Sequence, residues 1–561
     1  MNVSIVMDGA GKLLVKFPYS PQMVEAVKTV DYRRKFDAER KAWTFPAECF
    51  VLQRLMDLLG VMRECLPENV ERLLPAETQS QVQVDLTLAD GHAWTTKPYH
   101  HQVKGFCELR EFPHWALFWE QGSGKSLPVA NRIKHGLERG EFGGPVFIFC
   151  PKPAVLSVWP QELKNHAGLD CMVLIGGRVK KQEVIERAKE SVAGGKWPIV
   201  VANYEAALHL GKELSKLKPD VVVWDEIHRM KNATCKTARE MRKLSASARY
   251  RWGLSGTPAP NGPLDFFGSL LLLDPLVAGT ESKMAFTARY AITQAVPGQM
   301  YRQVVGYQNL EDLRKRVASI SSRVKKADCL DLPEKIFADR HCELEGEQAR
   351  VYRQLRNDAI ARLKVGKDEG ELTIKNILQE SLRLLQVCGG HFPTDDGEIH
   401  HIAGSAKLSL LADLLEDIDG KVIIWTVFRE EVKAIVALLA KRADGDAVEF
   451  HGGVADGARK DAVDRFQNGD ASFFVGTMAT GRESITLTAA STEIFYSRDW
   501  NLVNYLQSID RAHRIGTKKA VTIYHLVARG TVDEKVAASL SRKESLQERL
   551  LGRAIDPEEL L

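Results

Sequence analysis

The sequence lacks paired cysteines, long apolar runs and a strong net charge, and each absence excludes a class of protein. Its nine cysteines are scattered singly without a CxxC pair, which argues against a zinc site and against a disulfide framework. No apolar run approaches the roughly 18 residues of a membrane span, and the polar N-terminus MNVSIVMDGAGK does not look like a secretory signal. We therefore expect a cytoplasmic protein with reduced thiols and no membrane partner.

The charge balance neither requires nor excludes nucleic acid. The 77 Lys and Arg residues and 73 Asp and Glu residues give a formal net charge of +4, so any basic surface must be local. With 561 residues, 44% hydrophobic and 27% charged, the chain is typical of a globular protein with several domains. Its compact size suits a bacterial or phage-encoded protein.

Short apolar runs predict an α/β fold with two lobes. In two regions such runs alternate with helical stretches and end in Gly, Pro, Asp or Asn clusters, which is typical of parallel strands buried on both faces. We assign an α+β module to residues 1–75, a connector to 76–97, lobe one to 98–275, a helical inter-lobe region to 276–404, lobe two to 405–528 and a C-terminal helical brace to 529–561.

A candidate phosphate loop, WEQGSGKS, spans Trp119 to Ser126. Glycines at 122 and 124 let backbone N–H groups, including that of Ser123, turn towards phosphates. Lys125 is expected to reach the β- and γ-phosphates, and the Ser126 hydroxyl to bind Mg²⁺. Trp119 stands where the strict pattern has its first glycine, so this loop alone does not decide between a nucleotide site and a chance match.

Acidic and hydroxyl residues follow two later strand-like runs. VVVWDEIH delivers two carboxylates to a strand end, where Asp225 would hold Mg²⁺ and Glu226 would orient or deprotonate the attacking water. The alternative is an ordinary solvated strand end, and the phosphate loop upstream favours the catalytic interpretation. His228 would couple this site to LSGTP, with Ser255 and Thr257, although a surface histidine and a plain tight turn would look the same.

QSIDRAHRIG, residues 507–516, predicts a helix with Arg511 and Arg514 one turn apart, about 5 Å between neighbouring side chains. Two guanidiniums on one face repel each other unless an anion lies between or opposite them. They could therefore grip nucleotide phosphates bound to the other lobe, as arginine fingers do. A solvated helix face is the alternative.

In their order along the chain, these motifs resemble those of the Swi/Snf-type DNA-dependent ATPases of helicase superfamily two. The resemblance covers roughly residues 98 to 540 and implies two RecA-like lobes, parallel sheets flanked by helices, with ATP and Mg²⁺ as cofactors. It also includes PYHHQ (98–102), CPKPAVLSVWPQEL (150–163), VVANYE (200–205), SSRVKKADCLDLPEK (321–335), VFRE (427–430) with FHGG (450–453), and GTMATGRESITLTAA (476–490).

The resemblance implies a role for each matching residue. Gln102 would recognise adenine; Lys125, Asp225, Glu226, Arg511 and Arg514 would be catalytic; His228, Ser255, Thr257, Gly481 and Gln507 would couple the motifs; and Lys152, Asn203, Thr477 and Thr480 would contact DNA phosphates. The chain departs from the family at Ser126 (usually Thr), Arg482-Glu483-Ser484 (usually Gly-x-Gly) and Thr517 (usually Gln). The second departure leaves open how strongly ATP and DNA are coupled.

The N-terminal stretch KFPYSPQMVEAVKTVDYRRKFDAERKAWTFP resembles the HARP domain of annealing helicases, which rewind or remodel branched DNA. Trp43 or Phe45 could stack on an unpaired base, or both could be core residues of a small domain. The residues that could meet phosphates are Arg33, Arg34, Lys35, Arg40 and Lys41.

These patterns predict an ATP-driven double-stranded DNA translocase that remodels or reanneals branched DNA in replication, recombination or repair. We expect sequence-independent binding to double-stranded or branched DNA, by a monomer. DEIH also occurs in strand-separating DNA or RNA helicases, which remain an alternative. Another is a nucleotide-dependent DNA-binding module whose turnover is vestigial because of the residues at 482–484.

Overall fold

The computed structural model of the chain contains three sheet-based bodies. It describes residues 3–9, 11–28, 30, 34–47, 51–52, 55–56, 59, 65–71, 84–295, 302–329, 332–368, 374–394, 396, 398–443, 445–481, 485–514, 517 and 519–551. Two large parallel sheets flanked by helices follow a small antiparallel sheet, so the predicted α/β class is confirmed. Within those ranges, none of the helices combines the length and apolar character that a membrane crossing requires.

The N-terminal module is an antiparallel sheet with strand order β1-β2-β4-β3. Strands β1 and β2 form an antiparallel hairpin, in which the Lys12 N–H donates to Asp8 Oδ1 at 2.8 Å. Its first helix begins at Pro21, and Ser20 Oγ accepts the Met23 N–H at 3.5 Å. The elements are β1 (Ser4–Met7), β2 (Lys12–Lys16), α1 (Pro21–Lys28), β3 (Lys35–Asp37), β4 (Ala42–Pro46) and α2 (Glu68–Glu71).

Lobe one is built on a seven-stranded parallel sheet. Its strands are β5 (His114–Leu117), β6 (Val146–Cys150), β7 (Met172–Leu174), β8 (Ile199–Asn203), β9 (Val221–Asp225) and β10 (Tyr250–Leu254); an antiparallel hairpin of β11 (Ala291–Ala295) and β12 (Arg302–Tyr307) precedes β13 (Ser321–Ser322). The strand order in the large sheet is β13-β5-β10-β9-β6-β8-β7.

The helices of this part cover both faces of the sheet and enclose two apolar clusters. In chain order they are α3 (His100–Glu111), α4 (Ser126–Glu138), α5 (Lys152–Ser157), α6 (Trp159–Ala167), α7 (Arg178–Ala193), α8 (Ala206–Lys216), α9 (Lys236–Ser245), α10 (Phe266–Leu273), α11 (Pro275–Ala278), α12 (Lys283–Tyr290), α13 (Leu310–Ala318) and α14 (Lys326–Cys329), with short 3-10 turns at Leu86–Ala89, Ile227–Met230 and Pro263–Asp265.

Lobe two is built on a six-stranded parallel sheet in the order β14-β21-β20-β17-β19-β18. Its strands are β14 (Lys335–Cys342), β17 (Val422–Thr426), β18 (Ala447–Phe450), β19 (Phe473–Thr477), β20 (Thr492–Phe495) and β21 (Val521–Ala528), and β15 (His391–Pro393) pairs with β16 (Ile399–His401) in a separate hairpin. Its helices are α15 (Gly346–Asp368), α16 (Ile374–Cys388), α17 (Ala406–Glu416), α18 (Arg429–Leu439), α19 (Asp456–Asn468), α20 (Met478–Gly481), α21 (Leu502–Ile509) and α22 (Val532–Leu551).

The predicted helical inter-lobe region, residues 276–404, contains strands as well as helices. Strand β13 adds to the sheet of lobe one, whereas β14 forms an edge of the sheet of lobe two. Phe286, Tyr290 and Leu313 lie in the core of lobe one. Strand β13 has only two residues and β14 is mostly exposed, so neither has the apolar run that predicts the other strands.

Parallel strands bring the predicted motifs of lobe one to one edge of its sheet. The phosphate loop follows β5, the two carboxylates end β9, and the LSGTP turn follows β10, which lies between β5 and β9. Because the carboxyl ends of parallel strands meet at the same edge, three segments that are distant in sequence become neighbours. This edge faces lobe two.

Candidate active site between the lobes

The phosphate loop has the backbone that its glycines predict. Gly122 and Gly124 have φ angles of 76° and 75°, in the left-handed region that favours glycine. Gln102 Nε2 donates to the carbonyl oxygens of Ser123 and Gly124 at 3.4 and 3.3 Å. A Cβ on Gly124 would lie 2.3 Å from this nitrogen, so only glycine allows α3 to hold the loop in this way.

Lys125 folds back onto the start of the loop. Its Nζ donates to the carbonyl oxygens of Trp119 and Glu120, at 3.0 Å each. Burial lowers the pKa of Lys125, and the carboxylates of Glu226 and Asp225 oppose that effect. The ammonium therefore lies within electrostatic reach of both the loop and the acid pair.

Ser126, the first residue of α4, donates its hydroxyl hydrogen to Glu162 of α6. Glu162 Oε2 also lies 3.4 Å from His166 Nε2, and His166 Nδ1 lies 2.9 Å from Thr96 Oγ1. Burial opposes ionisation of Glu162, but hydrogen bonds from His166 and Ser126 outweigh it and lower its pKa. The Ser126 oxygen keeps its lone pairs available, as a cation ligand must.

Asp225 and Glu226 are adjacent acids in different surroundings. Glu226 has φ 58° and ψ 51°, a left-handed conformation that costs a non-glycine residue on the order of 1–3 kcal/mol. Asp225 Oδ2 accepts the Trp159 indole N–H at 3.0 Å. Burial and the neighbouring carboxylate raise the pKa of Asp225 above its usual range. Burial acts on Glu226 too, but His228 and Lys125 outweigh it and lower the pKa of Glu226, so the two acids can take different roles.

His228 and Ser255 connect Glu226 to the turn after β10. His228 Nδ1 lies 3.0 Å from Ser255 Oγ and 3.2 Å from Glu226 Oε2. Ser255 Oγ donates to Glu226 Oε2 at 3.4 Å and accepts the Thr257 N–H at 3.1 Å. The residues predicted to couple the motifs of lobe one therefore share one hydrogen-bonded network.

Lobe two reaches the same carboxylate through Gln507 of α21. Gln507 Nε2 donates to Glu226 Oε1 at 3.0 Å, and Gln121 of the phosphate loop donates to the same oxygen at 3.3 Å. A cavity of about 240 Å³ lies here, lined by Asp225 and Glu226 of lobe one and by Gln507 and Arg511 of lobe two. Glu226 therefore connects the two lobes.

The two predicted arginines lie beyond a helix rather than on its face. Helix α21 ends at Ile509, and Arg511 Nε turns back to donate to the Gln507 carbonyl at 2.8 Å. The prediction of a helical turn between Arg511 and Arg514 is therefore wrong. Both guanidiniums nevertheless converge, because their Nη1 atoms donate to the Ile485 carbonyl at 3.2 and 3.1 Å. Burial and Arg514 lower the pKa of Arg511 to about 10.

Arg514 lies beside the phosphate loop. A Cβ built on Gly122 would lie 3.9 Å from Arg514 Nε, and Arg514 Nη1 donates to Thr486 Oγ1 at 3.1 Å. A cation of lobe two is thus placed against the loop of lobe one. This contact across the cleft is the one that the predicted arginine-finger role requires.

Ser126 and Asp225 offer hard oxygen atoms of the kind that Mg²⁺ binds. Mg²⁺ usually takes one or two side-chain oxygens together with phosphate and water oxygens. Both side chains are oriented, Ser126 by Glu162 and Asp225 by Trp159, so they fit such an ion. Across the described ranges, no cluster of three or more His, Cys, Asp or Glu side chains is arranged to hold a metal by itself. A magnesium ion here would share its coordination with nucleotide phosphates.

The predicted DNA-contacting residues of lobe one lie at strand ends. Lys152 is exposed at the start of α5, next to Pro151, which lines the cavity between the lobes. Asn203 ends β8, and its Nδ2 donates to Glu205 Oε2 at 2.7 Å. Both residues therefore lie at the edge of the sheet that faces the cleft.

The corresponding residues of lobe two lie at the end of β19 and in the short helix α20 that follows it. The Thr477 hydroxyl donates to Thr480 Oγ1 at 3.0 Å, and both side chains are largely buried. Ala479 lines the cavity. A Cβ on Gly481 would lie 2.7 Å from the Trp425 ring, so packing accounts for this glycine. The departure at 482–484 lies outside the described residues.

The N-terminal module separates its two candidate aromatic residues. Phe45 is only 1% exposed in the core of the module, so base stacking by Phe45 is wrong. Trp43 is partly exposed on β4, and its ring centroid lies 5.3 Å from that of Phe36. Arg34 is among the described residues, whereas Arg33 lies outside them.

Sequence reasoning does not identify four side chains that contact the site. Trp159 and Glu162 orient the two expected Mg²⁺ ligands, Gln121 contacts Glu226, and Lys326 lies next to the phosphate loop. Trp159 and Glu162 lie in CPKPAVLSVWPQEL, a stretch to which the resemblance assigns only a DNA contact. The sequence signal that could have identified them is that Trp159 and Glu162 are three positions apart, and therefore on one face of a short helix.

Comparison with known proteins identifies the domains. Residues 101–391 match the SNF2-related domain family, and residues 406–516 match the helicase conserved C-terminal domain family. The chain is 28% identical to the TATA-binding protein-associated factor mot1 of Schizosaccharomyces pombe, over 75% of this chain and 24% of that protein. It is 26% identical to the putative ATP-dependent helicase/translocase YwqA of Bacillus subtilis, over 82% of this chain and 49% of that protein. The chain therefore spans less than half the length of these curated relatives.

Among solved structures, the chain is similar to the Sulfolobus solfataricus SWI2/SNF2 ATPase core in complex with dsDNA, with 24% identity and a TM-score of 0.39 over 84% of this chain and 97% of that chain. The SNF2-related match by itself covers more than half of the 561 residues. The predicted Swi/Snf-type ATPase core is thereby confirmed, and the chain belongs to the SNF2-related family.

Proposed function

We propose that this protein is an ATP-driven translocase on double-stranded DNA that remodels or reanneals branched DNA. The observation that carries the proposal is the 3.0 Å hydrogen bond from Gln507 of lobe two to Glu226 of lobe one. A carboxylate contacted from both lobes changes its surroundings whenever the lobes move. Hydrolysis at that carboxylate and movement of the lobes are therefore tied together.

The proposed hydrolysis uses residues from both sides of the cleft. Arg511 and Arg514 of lobe two would stabilise the transition-state charge on the γ-phosphate. Arginine fingers of this kind raise the rate by a factor on the order of 10³–10⁵. The lowered pKa keeps Glu226 ionised, so its carboxylate can orient the attacking water or accept its proton. The remaining roles are Gln102 for adenine, the loop from Gly122 to Ser126 for phosphates, Ser126 and Asp225 for Mg²⁺, and Arg511 and Arg514 for the transition state.

Double-stranded DNA is the proposed track. The Bacillus subtilis relative YwqA is named a putative ATP-dependent helicase/translocase. In addition, two lobes that each present strand ends to the cleft can bind the DNA backbone in alternation. Lys152 and Asn203 of lobe one and Thr477 and Thr480 of lobe two would bind backbone phosphates and read no bases. Binding by a cytoplasmic monomer should therefore be independent of sequence and fall steeply with salt.

The N-terminal module supports a preference for branched DNA. Tyr19 is 84% exposed and Phe36 is 56% exposed, and together with Trp43 and Lys41 they line a groove of about 640 Å³. Exposed aromatic faces beside a lysine can stack on unpaired bases and attract the adjoining phosphate. Such bases occur at forks and junctions but not in continuous duplex, so this HARP-like module would direct the translocase to branches.

The central test measures steady-state ATP hydrolysis without nucleic acid and with duplex, single-stranded DNA, forked DNA or RNA. Duplex and forked DNA should stimulate turnover, and Glu226→Gln should abolish it. Displacement of a third strand from a triplex, without separation of the duplex strands, would then demonstrate translocation. Strand separation would favour a helicase, and turnover that is absent or indifferent to DNA would favour a binding module.

A matched pair of phenylalanine variants tests the module. Phe36→Ala should reduce the preference for forked over plain duplex DNA, while stimulation by plain duplex stays unchanged. Phe337→Ala is the control, because Phe337 on β14 is 54% exposed but lies far along the chain from this module. Equal loss of preference in both variants, or no loss in Phe36→Ala, would contradict the proposed role.

A further inference from the structure

The chain between the lobes starts in one sheet and ends in the other. Strand β13 pairs with β5 of lobe one, and β14 pairs with β21 of lobe two. Helix α14, between these strands, begins at Lys326. The Lys326 main-chain N–H donates to Glu120 Oε2, next to the phosphate loop, at 2.9 Å. The backbone of Lys326 is therefore fixed to lobe one.

The Lys326 side chain, in contrast, is bound by lobe two. Its Nζ donates to an Asp510 carboxylate oxygen and to the His513 carbonyl, the latter at 2.9 Å. Asp510 directly precedes Arg511, and His513 directly precedes Arg514. One ammonium thus contacts the two residues that adjoin the arginines.

This ammonium also lies beside the phosphate loop. A Cβ built on Gly122 would lie 3.7 Å from Lys326 Nζ, close to the position of Arg514. The Lys326 side chain is only 3% exposed, and that of Asp510 is 12% exposed. Removal of one partner from a buried ion pair leaves an uncompensated charge, so the positions of Lys326 and Asp510 depend on each other.

The segment between the lobes makes two further contacts with residues 510–514, but neither replaces the Lys326–Asp510 pair. Lys335 lies 3.8 Å from Asp510 Oδ1 with a side chain that is 30% exposed, so water weakens its attraction. His513 Nε2 lies 2.7 Å from the Pro333 carbonyl. Both contacts come from the same inter-lobe segment as Lys326. Of the three side chains, that of Lys326 also lies against Gly122 of the phosphate loop.

We propose that Lys326 is a positioning residue that aligns Arg511 and Arg514 with the phosphate loop by holding Asp510 and His513 across the cleft. The proposal rests on the ATPase function proposed above and gives a role to a residue to which the family resemblance assigns none. Lys326 acts through its neighbours and contacts no reacting atom. Its loss should therefore lower kcat for ATP and leave the KM for ATP nearly unchanged.

The test compares Lys326→Met, Asp510→Asn and the double variant with a Lys325→Met control. Lys325 is the adjacent lysine, but it is 43% exposed and pairs with Glu548 of α22 instead. Misplacement of a catalytic group by about 1 Å can cost about 100-fold in rate, so each single variant should lose about 10- to 100-fold in kcat with saturating duplex DNA. The double variant should be no worse than the worse single variant, because both disrupt one interaction.

Two kinetic outcomes would overturn the proposal. One is a Lys326→Met variant with unchanged kcat, or with a loss confined to KM. The other is a double variant whose loss equals the product of the two single losses, because this would show that Lys326 and Asp510 act independently. If Lys326→Met fails to fold, Asp510→Asn still tests the contact, because an unchanged kcat in that variant would overturn the proposal.

Amide hydrogen exchange provides a readout that does not depend on turnover. Residues 501–514 should exchange faster in Lys326→Met than in the wild type, and Lys325→Met should match the wild type. If the wild type hydrolyses no ATP with any DNA, the proposed function fails, whereas the exchange data still test the alignment. Unchanged exchange in Lys326→Met would overturn the inference even in an active enzyme.

Discussion

Replacement of Glu493 by glutamine should make the stability of lobe two less dependent on pH. Glu493 lies on β20, is 0% exposed, and accepts the Trp425 indole N–H at 3.1 Å. Burial raises the pKa of Glu493 to about 8, although the hydrogen bond from Trp425 opposes that change. The folded lobe therefore keeps a proton on a carboxyl group that would be ionised in the unfolded chain at neutral pH.

The sign and the size of the effect follow from these two pKa values. An unfolded glutamate has a pKa of about 4.3, so between about pH 4.3 and pH 8 folding takes up a proton and stability falls as the pH rises. The slope approaches about 1.4 kcal/mol per pH unit for one proton. From pH 6 to pH 8 the wild type should lose about 2 kcal/mol that Glu493→Gln does not lose.

Pulsed labelling of the Cys388 thiol in urea can follow lobe two alone, since Cys388 is buried in its core. The unfolding free energy would be measured at pH 6, 7 and 8, with each labelling pulse applied at one fixed pH. Glu416→Gln, at the exposed end of α17, is the matched control and should follow the wild type. Parallel pH dependences for wild type and Glu493→Gln would refute the reasoning, because Glu493 would then have the same charge in both states.

Three further substitutions test the site and its supports. Trp159→Phe removes the indole N–H that holds Asp225, so it should lower kcat/KM for ATP about 10-fold and raise the Mg²⁺ concentration for half-maximal turnover. Gly268→Ala places a Cβ 2.0 Å from the Met230 carbonyl oxygen, in the turn that follows the acid pair, and should lower Tm by several degrees and reduce turnover. Leu550→Ala removes a buried contact of α22 with lobe one and should cost about 2–5 kcal/mol of unfolding free energy.

Each of these three predictions has a control variant or a result that would contradict it. An unchanged Mg²⁺ requirement in Trp159→Phe would show that the indole does not orient the metal ligand. Gly457→Ala tests the same substitution in helix α19, where nothing lies within 4 Å of the new Cβ, and it should leave Tm unchanged or raise it slightly. Leu156→Ala removes a leucine that is 60% exposed, so a loss of stability as large as that of Leu550→Ala would contradict the packing argument.

The parts of the site that the sequence predicts are those carried by strand ends. An apolar run predicts a buried parallel strand, and the carboxyl ends of such strands lie at one edge of the sheet. The residue that follows the run is therefore predicted to lie at that edge. Asp225 and the LSGTP turn follow this logic, and the structure joins Glu226 to His228 and Ser255 as the predicted coupling requires.

The parts that the sequence does not predict depend on contacts between distant elements. Glu162 contacts Ser126 only because α6 packs beside α4, and no local pattern records that packing. The spacing of Arg511 and Arg514 fits a helix, but α21 ends at Ile509 and both guanidiniums donate to the carbonyl of the distant Ile485. Tertiary contacts overrode the local helical pattern at this position.

Contacts of very different strength hold the two lobes together, and this difference predicts how the cleft opens. Glu548 of α22 pairs with Lys325 at the surface, where both side chains are more than a third exposed, and such pairs are worth about 0–1 kcal/mol. The buried Leu550 contact is worth about 2–5 kcal/mol, so it is the stronger of the two. Opening should therefore break the contacts of Glu548 first. The buried Leu550 contact should break later, so α22 stays packed against lobe one through small movements of the lobes and is released only by large ones.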